Sequence, residues 1–256
     1  MREIALQAAE KGGAILKKYW GKLPSVEYKL HPSDLVTIAD KEAEAAVINH
    51  LLTHFPDHAI LAEESGTAGA KDASFTWIID PLDGTTNYTH QYPMVAIAIA
   101  LQQEGEIVLG IVYNPIYEEL FIAERGKGAF FNGEKMRVST TADLQNGLLA
   151  TGFAYDRQLV PETNYSQFCH LTHISQGVRR GGSAALDLAY VAAGRLDGFW
   201  ERGLKPWDLA AGKLLVEEAG GRVTGYEMAP FDLFSGKIVA SNGVLHEILS
   251  HEILHS

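Results

Sequence analysis

The order of hydrophobic and polar residues predicts two helices in the first third of the chain. Arg2–Tyr19 mixes charged and apolar residues as an amphipathic helix does, and Ala39–Phe55 has a similar spacing. The predicted inward face of the second helix contains Ala43, Ala46, Val47, His50 and Leu51. Between the two helices, Lys22–Pro32 is rich in turn-forming and polar residues, so we predict a mobile loop there.

Short apolar runs predict strands in the rest of the chain. Ala59–Ala62 and Thr76–Ile79 are two buried strands that each end at an acidic residue. An antiparallel section follows, with strands at Met94–Gln102, Ile107–Tyr113 and Glu119–Glu124. Further on, the predicted strands are Leu148–Thr151, Gly198–Trp200, Arg222–Val223 and Ile238–Ser241, and the predicted helices are Pro161–Thr172, Ser183–Ala193 and Trp207–Glu218. The pattern favours an α+β first part, residues 1–145, and an α/β second part, residues 146–256.

Composition narrows the class of protein. The 256 residues are 46% hydrophobic and 21% charged, which is ordinary for a globular protein. No apolar run is long enough to cross a membrane, and the first residues are too charged for a signal peptide. Cys169 is the only cysteine, so no disulfide forms within the chain; we expect a core position for it and a cytoplasmic protein. The net charge of −11 makes nucleic-acid binding unfavourable.

The segment Trp77–Asn87 carries the strongest chemical signal. A buried strand delivers Asp80 at its end, and regular pairing stops at Pro81, which has no N–H group. Asp83 follows, and Gly84 lets the backbone turn into a short helix. Two carboxylates at one turn repel each other unless a cation such as Mg²⁺ binds them, and a helix N-terminus offers N–H groups to a phosphate. The alternative is a capped turn with two solvated aspartates.

Two more acidic residues lie at the ends of predicted elements. Glu63 follows a short strand, and Asp208 lies at the start of a helix. Taken alone, Glu63 is typical of a solvated strand end and Asp208 of a helix cap. Together with Asp80 and Asp83 they indicate a two-metal site, with cations roughly 3.5–4 Å apart bridging an attacking water and a phosphate.

At these positions the sequence resembles the inositol monophosphatase family. The matching residues are Glu63-Glu64-Ser65, the run Asp80–Asn87, Trp207-Asp208, Ala210–Gly212 and Glu218–Gly221. The resemblance runs from the Asp34–Asp40 segment to near Ser241. It implies the layered αβαβα sandwich of the sugar-phosphatase type, shared by inositol monophosphatase and fructose-1,6-bisphosphatase. It also implies a homodimer, Mg²⁺ as cofactor, inhibition by lithium, and hydrolysis of a small phosphate ester by a metal-activated water.

The resemblance also implies a role for individual residues. The expected ligands of the first metal are Glu63, Asp80 and the carbonyl group of Leu82, and those of the second are Asp80, Asp83 and Asp208. Gly84 and Thr85 are expected to donate backbone N–H groups to the phosphate. Asp40 and Thr85 are expected to orient the attacking water, with Glu63 counted beside them as catalytic. Lys29 is expected to contact the metals from a loop. In this scheme residues 1–145 bind metal and phosphate, and residues 146–256 complete the metal site and the substrate pocket.

Substrate selection is expected from the second part of the chain. By resemblance, Gly182, Ser183 and Ala184 lie against the sugar-like ring, Asp83 contacts the substrate, and Glu201 accepts hydrogen bonds from ring hydroxyls. The alternative for Glu201 is a solvated residue after a strand. Retention of this carboxylate favours inositol 1-phosphate or a similar polyol phosphate. Fructose 1,6-bisphosphate and histidinol phosphate stay open as substrates of the same fold.

Three other features leave alternatives. Arg179 and Arg180 bind an anion, lie at a subunit interface, or form a solvated pair. His251–His255 matches the HExxH pattern of zinc proteases, but no third ligand follows, so we expect an ordinary terminal helix. The alternative to an enzyme is a regulatory binding protein that acts through partners. Such a protein would hydrolyse no polyol phosphate.

Overall fold

The computed structural model describes residues 1–28, 35–160 and 163–256. Lys29 and Asp34, both named above, lie outside the described residues. The helices are α1 (Arg2–Tyr19), α2 (Ile38–His54), α3 (Thr85–Thr89), α4 (Tyr165–Ile174), α5 (Ala184–Ala192), α6 (Pro206–Glu218) and α7 (His246–Leu254). The strands are β1 (Val26–Tyr28), β2 (Leu35–Thr37), β3 (Ala59–Ala62), β4 (Gly66–Gly69), β5 (Phe75–Asp83), β6 (Ala96–Gln103), β7 (Glu106–Asn114), β8 (Glu119–Glu124), β9 (Gly128–Phe131), β10 (Glu134–Lys135), β11 (Leu148–Thr151), β12 (Gly177–Arg179), β13 (Gly198–Arg202), β14 (Arg222–Thr224) and β15 (Lys237–Ser241).

Two large sheets organise these elements. The eight-stranded sheet has the order β10-β9-β8-β7-β6-β5-β3-β4 and is antiparallel except where β3 pairs with β5. The five-stranded sheet has the order β12-β11-β13-β15-β14, and β11 is parallel to both of its neighbours. A small antiparallel pair, β1 with β2, precedes them.

The sheets and helices stack in alternating layers. Helices α1 and α2 pack on one face of the eight-stranded sheet, α5 and α6 lie between the two sheets, and α4 and α7 cover the outer face of the five-stranded sheet. Strand alternation decides which core each residue joins: Phe199 faces the middle layer and Trp200 the outer one, because successive side chains point to opposite faces. The predicted αβαβα sandwich is therefore confirmed.

Helix α2 shows where the apolar pattern was incomplete. Its buried residues are Ala39, Asp40, Ala43, Glu44, Val47 and Leu51, whereas Ala46 and His50 are only half-buried. The predicted face was thus rotated, because a search for apolar residues passes over carboxylates that fold inward. Thr37 caps the helix, since its hydroxyl oxygen accepts the Ala39 N–H and its own N–H donates to Asp40.

Other differences concern element ends. Strand β5 continues through Pro81 to Asp83, which pairs with Ala96 after an irregularity, so the predicted stop at Ile79 was too early. Part of the predicted loop Lys22–Pro32 forms strand β1. Cys169 is exposed, and the expected core position was wrong. Helix α4 carries this cysteine on a side turned away from its buried Leu171.

No helix among the described residues has both the length and the apolar character that a membrane span requires. The boundary that we predicted between residues 145 and 146 falls between the last strand of the eight-stranded sheet and the first strand of the five-stranded one. Because α5 and α6 pack against both sheets, the two parts share a core. The division into residues 1–145 and 146–256 stays a prediction.

A buried histidine makes the stability depend on pH. His246 at the start of α7 is fully buried, and its ring bonds to the hydroxyl groups of Thr224 (3.0 Å) and Ser241 (2.9 Å). Burial lowers the pKa of His246 from 6.5 to about 4, with a smaller contribution from Arg222. The unfolded chain therefore binds more protons in this interval, so stability is present above pH 6.5 and is lost as the pH falls toward 4.

We expect this one group to contribute ~3 kcal/mol of that pH-dependent loss of the free energy of unfolding. Urea unfolding of the wild type and of His246→Gln, measured between about pH 7 and pH 4, tests it: the variant should be less stable at pH 7 and should show a shallower dependence. His173→Gln, at an exposed position of α4, is the control and should keep the wild-type slope. Equal slopes in the wild type and His246→Gln would contradict the assignment.

Candidate active site

A cavity of about 270 Å³ opens where elements from both sheets meet. Among the residues that line it are predicted site residues from three distant stretches of the chain: Glu63, Asp80, Leu82, Asp83, Gly84, Thr85, Gly182, Ser183, Ala184, Glu201 and Asp208. Of the other predicted site residues, Asp40 lies behind the wall and Lys29 is outside the described residues. Glu63 lines the cavity, whereas its neighbour Glu64 is not part of the wall.

Asp80 lies at the centre of a cluster of negative charge. It is 1% exposed, and the N–H of Leu82 donates to its Oδ1 over 2.9 Å. Burial, followed by the charges of Glu63, Asp83 and Asp208, raises the pKa of Asp80 well above its usual range. Asp80 and Asp208 also share a hydrogen bond. Burial, followed by the charges of Asp83 and Glu63, raises the pKa of Asp208, so this end of the cavity is short of positive charge.

Helix α6 positions Asp208. Pro206 occupies its first turn, and Asp208 Oδ2 accepts the N–H of Lys205 over 2.7 Å. The capping role that we considered as an alternative is therefore real. It is compatible with a place in the cavity wall, because a carboxylate with one oxygen on a backbone N–H has a second oxygen to offer.

Asp83, at the end of β5, is held by residues at the start of helix α5. Its Oδ2 accepts hydrogen bonds from Ser183 Oγ and from the N–H of Ala185, both over 2.7 Å. Burial raises the pKa of Asp83 to about 6, against the lowering effect of these two donors. Ser183 was predicted as a substrate contact. The structure shows that its hydroxyl also fixes Asp83 and caps helix α5.

Glu63 owes its position to a residue that the sequence did not reveal. Its N–H donates to the carbonyl oxygen of Ile79 in the neighbouring strand β5. The next two N–H groups, of Glu64 and Ser65, both donate over 2.8 Å to the carboxylate of Glu44, which is 3% exposed. The sequence held one signal for this role of Glu44: it follows Asp40 by one helical turn and so lies on the same face of α2.

Asp40 and Thr85 form a buried pair. Thr85 Oγ1 donates to Asp40 Oδ1 (3.1 Å) and approaches the Leu82 carbonyl oxygen (3.2 Å). Asp40 Oδ2 accepts from the N–H (2.8 Å) and the hydroxyl (2.6 Å) of Thr37. Burial raises the pKa of Asp40 to about 6, although these donors favour its charged form. A threonine hydroxyl that gives its proton to a carboxylate keeps lone pairs for another donor.

Gly84 shapes the tip of the short helix α3. Its φ of +93° is in the left-handed region, and a Cβ there would lie 2.7 Å from the Met94 carbonyl oxygen, so only glycine fits. The first N–H groups of a helix have no partner within it, and those after Gly84 border the cavity. Asn87 Nδ2 donates to Met94 O (2.7 Å) and Gly181 O (2.9 Å), which ties this tip to the loop before α5.

Glu201 is not the solvated residue that we considered. It lies within β13, is 8% exposed and borders the cavity. Burial first, and then the charge of Asp187, raises its pKa, while Arg180 opposes the shift. Its carboxyl group lies directly against Gly152, where any added Cβ would overlap all three carboxyl atoms. Asn164 Nδ2 holds the Gly152 carbonyl over 2.8 Å.

The donor set fits a divalent cation. Asp80 and Asp208, whose pKa is raised by burial and by neighbouring carboxylates, are stabilised in their charged form by a cation, and Mg²⁺ prefers oxygen ligands. Within the described ranges, no three acidic, imidazole or thiol groups already form a closed cage. The carboxylates instead line the wall, which agrees with their mutual repulsion.

Buried carboxylates that fit a cation, beside the free N–H groups of a helix tip, define a class of protein: a phosphatase, which hydrolyses phosphate esters. The particular family follows from comparison. A sequence model described as the Inositol monophosphatase family matches residues 1–255, and the chain belongs to this family. The match reaches beyond the Asp34–Ser241 stretch that the motifs had indicated.

Individual relatives agree with this assignment. The chain is 51% identical over 251 residues to an inositol-1-monophosphatase of Synechocystis sp., covering 98% of this chain and 88% of that protein. It is 45% identical over 243 residues to the Nus factor SuhB of Escherichia coli, covering 94% and 91%. The solved inositol monophosphatase of Anabaena has a TM-score of 0.91 and 49% identity, covering 99% and 94% of the two chains. An IMPase/NADP phosphatase solved with Mg²⁺ and phosphate has a TM-score of 0.85 and 28% identity, covering 98% and 94%.

The contact between Gly152 and Glu201 generates a prediction. Gly152→Ala should displace the flexible Glu201 side chain and leave the fold intact, because only the end of that side chain meets the new methyl group. If Glu201 accepts hydrogen bonds from substrate hydroxyls, kcat/KM for a polyol phosphate should fall about tenfold or more relative to phenyl phosphate, which has no hydroxyls.

Two further variants accompany this measurement. Gly152→Ala combined with Glu201→Asp shortens the displaced side chain and should recover part of the lost preference. Gly177→Ala is the control, since its methyl group would meet only side-chain ends of Arg179 (3.1 Å) and Leu148 (3.8 Å). An unchanged substrate preference in Gly152→Ala would contradict the role of Glu201.

Proposed function

We propose that the protein is a Mg²⁺-dependent phosphatase that releases phosphate from inositol 1-phosphate or a similar small polyol phosphate. One observation carries the proposal: five carboxylates, Glu63, Asp80, Asp83, Glu201 and Asp208, line one cavity together with the tip of helix α3. Such a site suits a substrate with a phosphate at one end and hydroxyl groups at the other. The names of the Synechocystis and Anabaena proteins support the same substrate class.

The residues that would hold the cations are Glu63, Asp80, Asp83, Asp208 and the carbonyl group of Leu82. Bound there, a divalent cation supplies Lewis-acid charge that stabilises the phosphoryl oxygens and acidifies water. The oxygen-only donor set favours Mg²⁺ among divalent metals, and the Mg²⁺ in a related solved structure supports this choice. The number of cations, two in the expected scheme, is part of the proposal.

The chain's own groups would orient the reaction. Thr85 Oγ1 would accept a hydrogen bond from the attacking water and take its proton while passing its own hydroxyl proton to Asp40. The pKa of Asp40, raised to about 6, suits a group that accepts a proton near neutral pH. The N–H groups of Gly84 and Thr85 would bind the phosphoryl oxygens and keep phosphorus in line with the water.

Substrate selection would depend on the wall of the cavity formed by Glu201 and by residues 182–184. Glu201 accepts hydrogen bonds from hydroxyl groups of the polyol, and Gly182, Ser183 and Ala184 form the surface on which its ring rests. Asp83 would contact both cation and substrate. Fructose 1,6-bisphosphate and histidinol phosphate are the alternative substrates, because a phosphate and an adjacent hydroxyl or amine meet the same requirements. Lys29, which is not among the described residues, would contact the cation site.

A second candidate function is regulatory binding through partners. The relatives that bear the name Nus factor SuhB favour it. The two functions can be tested separately, since a protein that binds partners does not need to hydrolyse a substrate. We also propose a cytoplasmic homodimer; the single cysteine supports the compartment, and light scattering reports the assembly state.

Phosphate release from inositol 1-phosphate with Mg²⁺ tests the enzyme. Asp83→Asn should lower kcat by at least about a thousandfold, because the amide removes a negative charge from the cation site. Its fold should persist, since the amide oxygen can still accept from Ser183 and Ala185. Chelation of Mg²⁺ should abolish wild-type turnover, and millimolar lithium should inhibit it.

Asp57→Asn is the matched control, with the same chemical change at an exposed position, and should keep wild-type turnover. The panel includes fructose 1,6-bisphosphate and histidinol phosphate. A folded wild type that hydrolyses none of these esters would refute the enzyme and favour the regulatory role. Wild-type kcat in Asp83→Asn would refute the assigned cation site.

A further inference from the structure

Glu44 is a buried carboxylate that the proposed reaction does not use. It lies on α2 one helical turn after Asp40, and it is 3% exposed. Two carboxylates one turn apart on the same face of a helix repel each other, and burying a carboxylate costs free energy unless it accepts hydrogen bonds. Asp40 accepts its bonds from Thr37 and Thr85. The partners of Glu44 lie in a different part of the site.

Both carboxylate oxygens of Glu44 bind the backbone of one turn. Oε2 accepts the N–H of Glu64 and Oε1 accepts the N–H of Ser65, each over 2.8 Å. Hydrogen bonds to a charged carboxylate are stronger than those between neutral groups. Because the two donors are successive residues, the pair of bonds fixes the orientation of the turn as well as its distance from α2.

The turn that Glu44 binds is otherwise attached to an edge of the sheet. It consists of residues 63–65 and joins β3 to β4, between the paired residues Ala62 and Gly66. In the part of the chain that the structure describes, β4 is the edge strand of the eight-stranded sheet, and three of its four residues are exposed. A hairpin with an exposed edge strand is the kind of segment that opens locally. Glu63, the first residue of the turn, therefore needs an anchor outside its own hairpin.

Helix α2 is a rigid support for this anchor. Its Ala43 belongs to the same hydrophobic core as Ile79 of β5, the residue that precedes Asp80. Close packing prevents the helix from shifting relative to that strand without disturbing the core. Glu44 thus ties the turn that carries Glu63 to the same packed unit that carries Asp80.

We propose that Glu44 is a positioning residue of the cation site: it holds Glu63 in the geometry that binds a divalent cation, and so determines the affinity for the cation rather than the rate of the chemical step. This inference rests on the proposed function, in which Glu63 is a cation ligand. When a ligand is in place only part of the time, the apparent dissociation constant rises in inverse proportion to that fraction. Once the cation is bound the ligand set is complete, and turnover proceeds normally.

Binding of Mn²⁺ without substrate tests the proposal, because Mn²⁺ takes the same oxygen ligands as Mg²⁺ and the EPR signal of the free ion reports the bound fraction. Glu44→Gln keeps the size of the side chain but replaces one oxygen by an NH₂ group, which cannot accept the N–H that faces it. The dissociation constant for Mn²⁺ should rise about tenfold, the loss of one charge-assisted hydrogen bond. Glu44→Asp keeps both acceptor oxygens on a shorter side chain and should recover part of the affinity.

Glu42→Gln is the matched control. It makes the same chemical change on α2, at a carboxylate that contacts Lys18 and Tyr19 instead of the turn, and it should bind Mn²⁺ as the wild type does. If Glu44 served stability alone, Glu44→Gln would lower the Tm of the cation-free protein and leave the Mn²⁺ dissociation constant unchanged. That result would overturn the proposal.

Kinetics distinguish a positioning residue from a ligand. With inositol 1-phosphate, Glu44→Gln should need about tenfold more Mg²⁺ for half-maximal activity, whereas kcat at saturating Mg²⁺ should stay within about twofold of the wild-type value. Glu63→Gln removes a ligand and should lower kcat even at saturating Mg²⁺. A wild-type Mg²⁺ requirement in Glu44→Gln would contradict the role of Glu44.

The two measurements separate this inference from the proposed function. Weaker Mn²⁺ binding by folded Glu44→Gln supports the role of Glu44 even if the wild type hydrolyses no ester. Hydrolysis by the wild type, with equal Mn²⁺ affinity in the wild type and Glu44→Gln, refutes the role of Glu44 and leaves the phosphatase in place. A wild type that binds no Mn²⁺ would overturn both.

Discussion

The repulsion among the carboxylates in the cleft is the constraint on which the site depends. Burial removes the water that would screen these groups, and the charges of Glu63 and Asp83 then raise the pKa of both Asp80 and Asp208. The protein offsets part of this cost locally. A backbone N–H group donates to each aspartate: that of Leu82 to Asp80, of Ala185 to Asp83 and of Lys205 to Asp208. What these bonds leave uncompensated is the driving force for binding a cation.

The layered fold brings the carboxylates together without a flexible segment. Asp80 and Asp83 end a strand of the eight-stranded sheet, whereas Asp208 lies on α6, in the layer shared by both sheets. Glu201 comes from a strand of the other sheet. A change in the packing of the middle layer would therefore move one wall of the cavity relative to the other. The burial that stabilises the protein is also what sets the geometry of its site.

Charge along the cleft is uneven. Five carboxylates line the main cavity and favour cations there, whereas an adjoining cavity is lined by Arg157, by Arg180, which borders both cavities, and by no acidic residue among those that the structure describes. Gly84 and Gly182 border both cavities, and each has a positive φ and a neighbouring atom where a side chain would be. An acidic protein can accept an anionic substrate in this way, because positive and negative groups lie a short distance apart within one cleft.

The sequence by itself determined the local part of this protein. The run from Trp77 to Asn87 identifies a strand, a turn, two carboxylates and a helix tip, and the family match covers residues 1–255. Neighbours along the chain decide these features, so a pattern of residues is enough to find them. Helix α1 and strand β3 were likewise predicted with the bounds that the structure has.

Only the tertiary structure decided what surrounds these residues. The bond from Ser183 to Asp83 joins residues 100 positions apart, and nothing near either residue encodes it. The same dependence on sheet order and helix packing holds for other contacts. Examples are the bonds from Glu64 and Ser65 to Glu44, and the contact of Gly152 with Glu201. Periodicity tells which face of an element is buried, but the partner of that face is chosen by the packing of the whole chain.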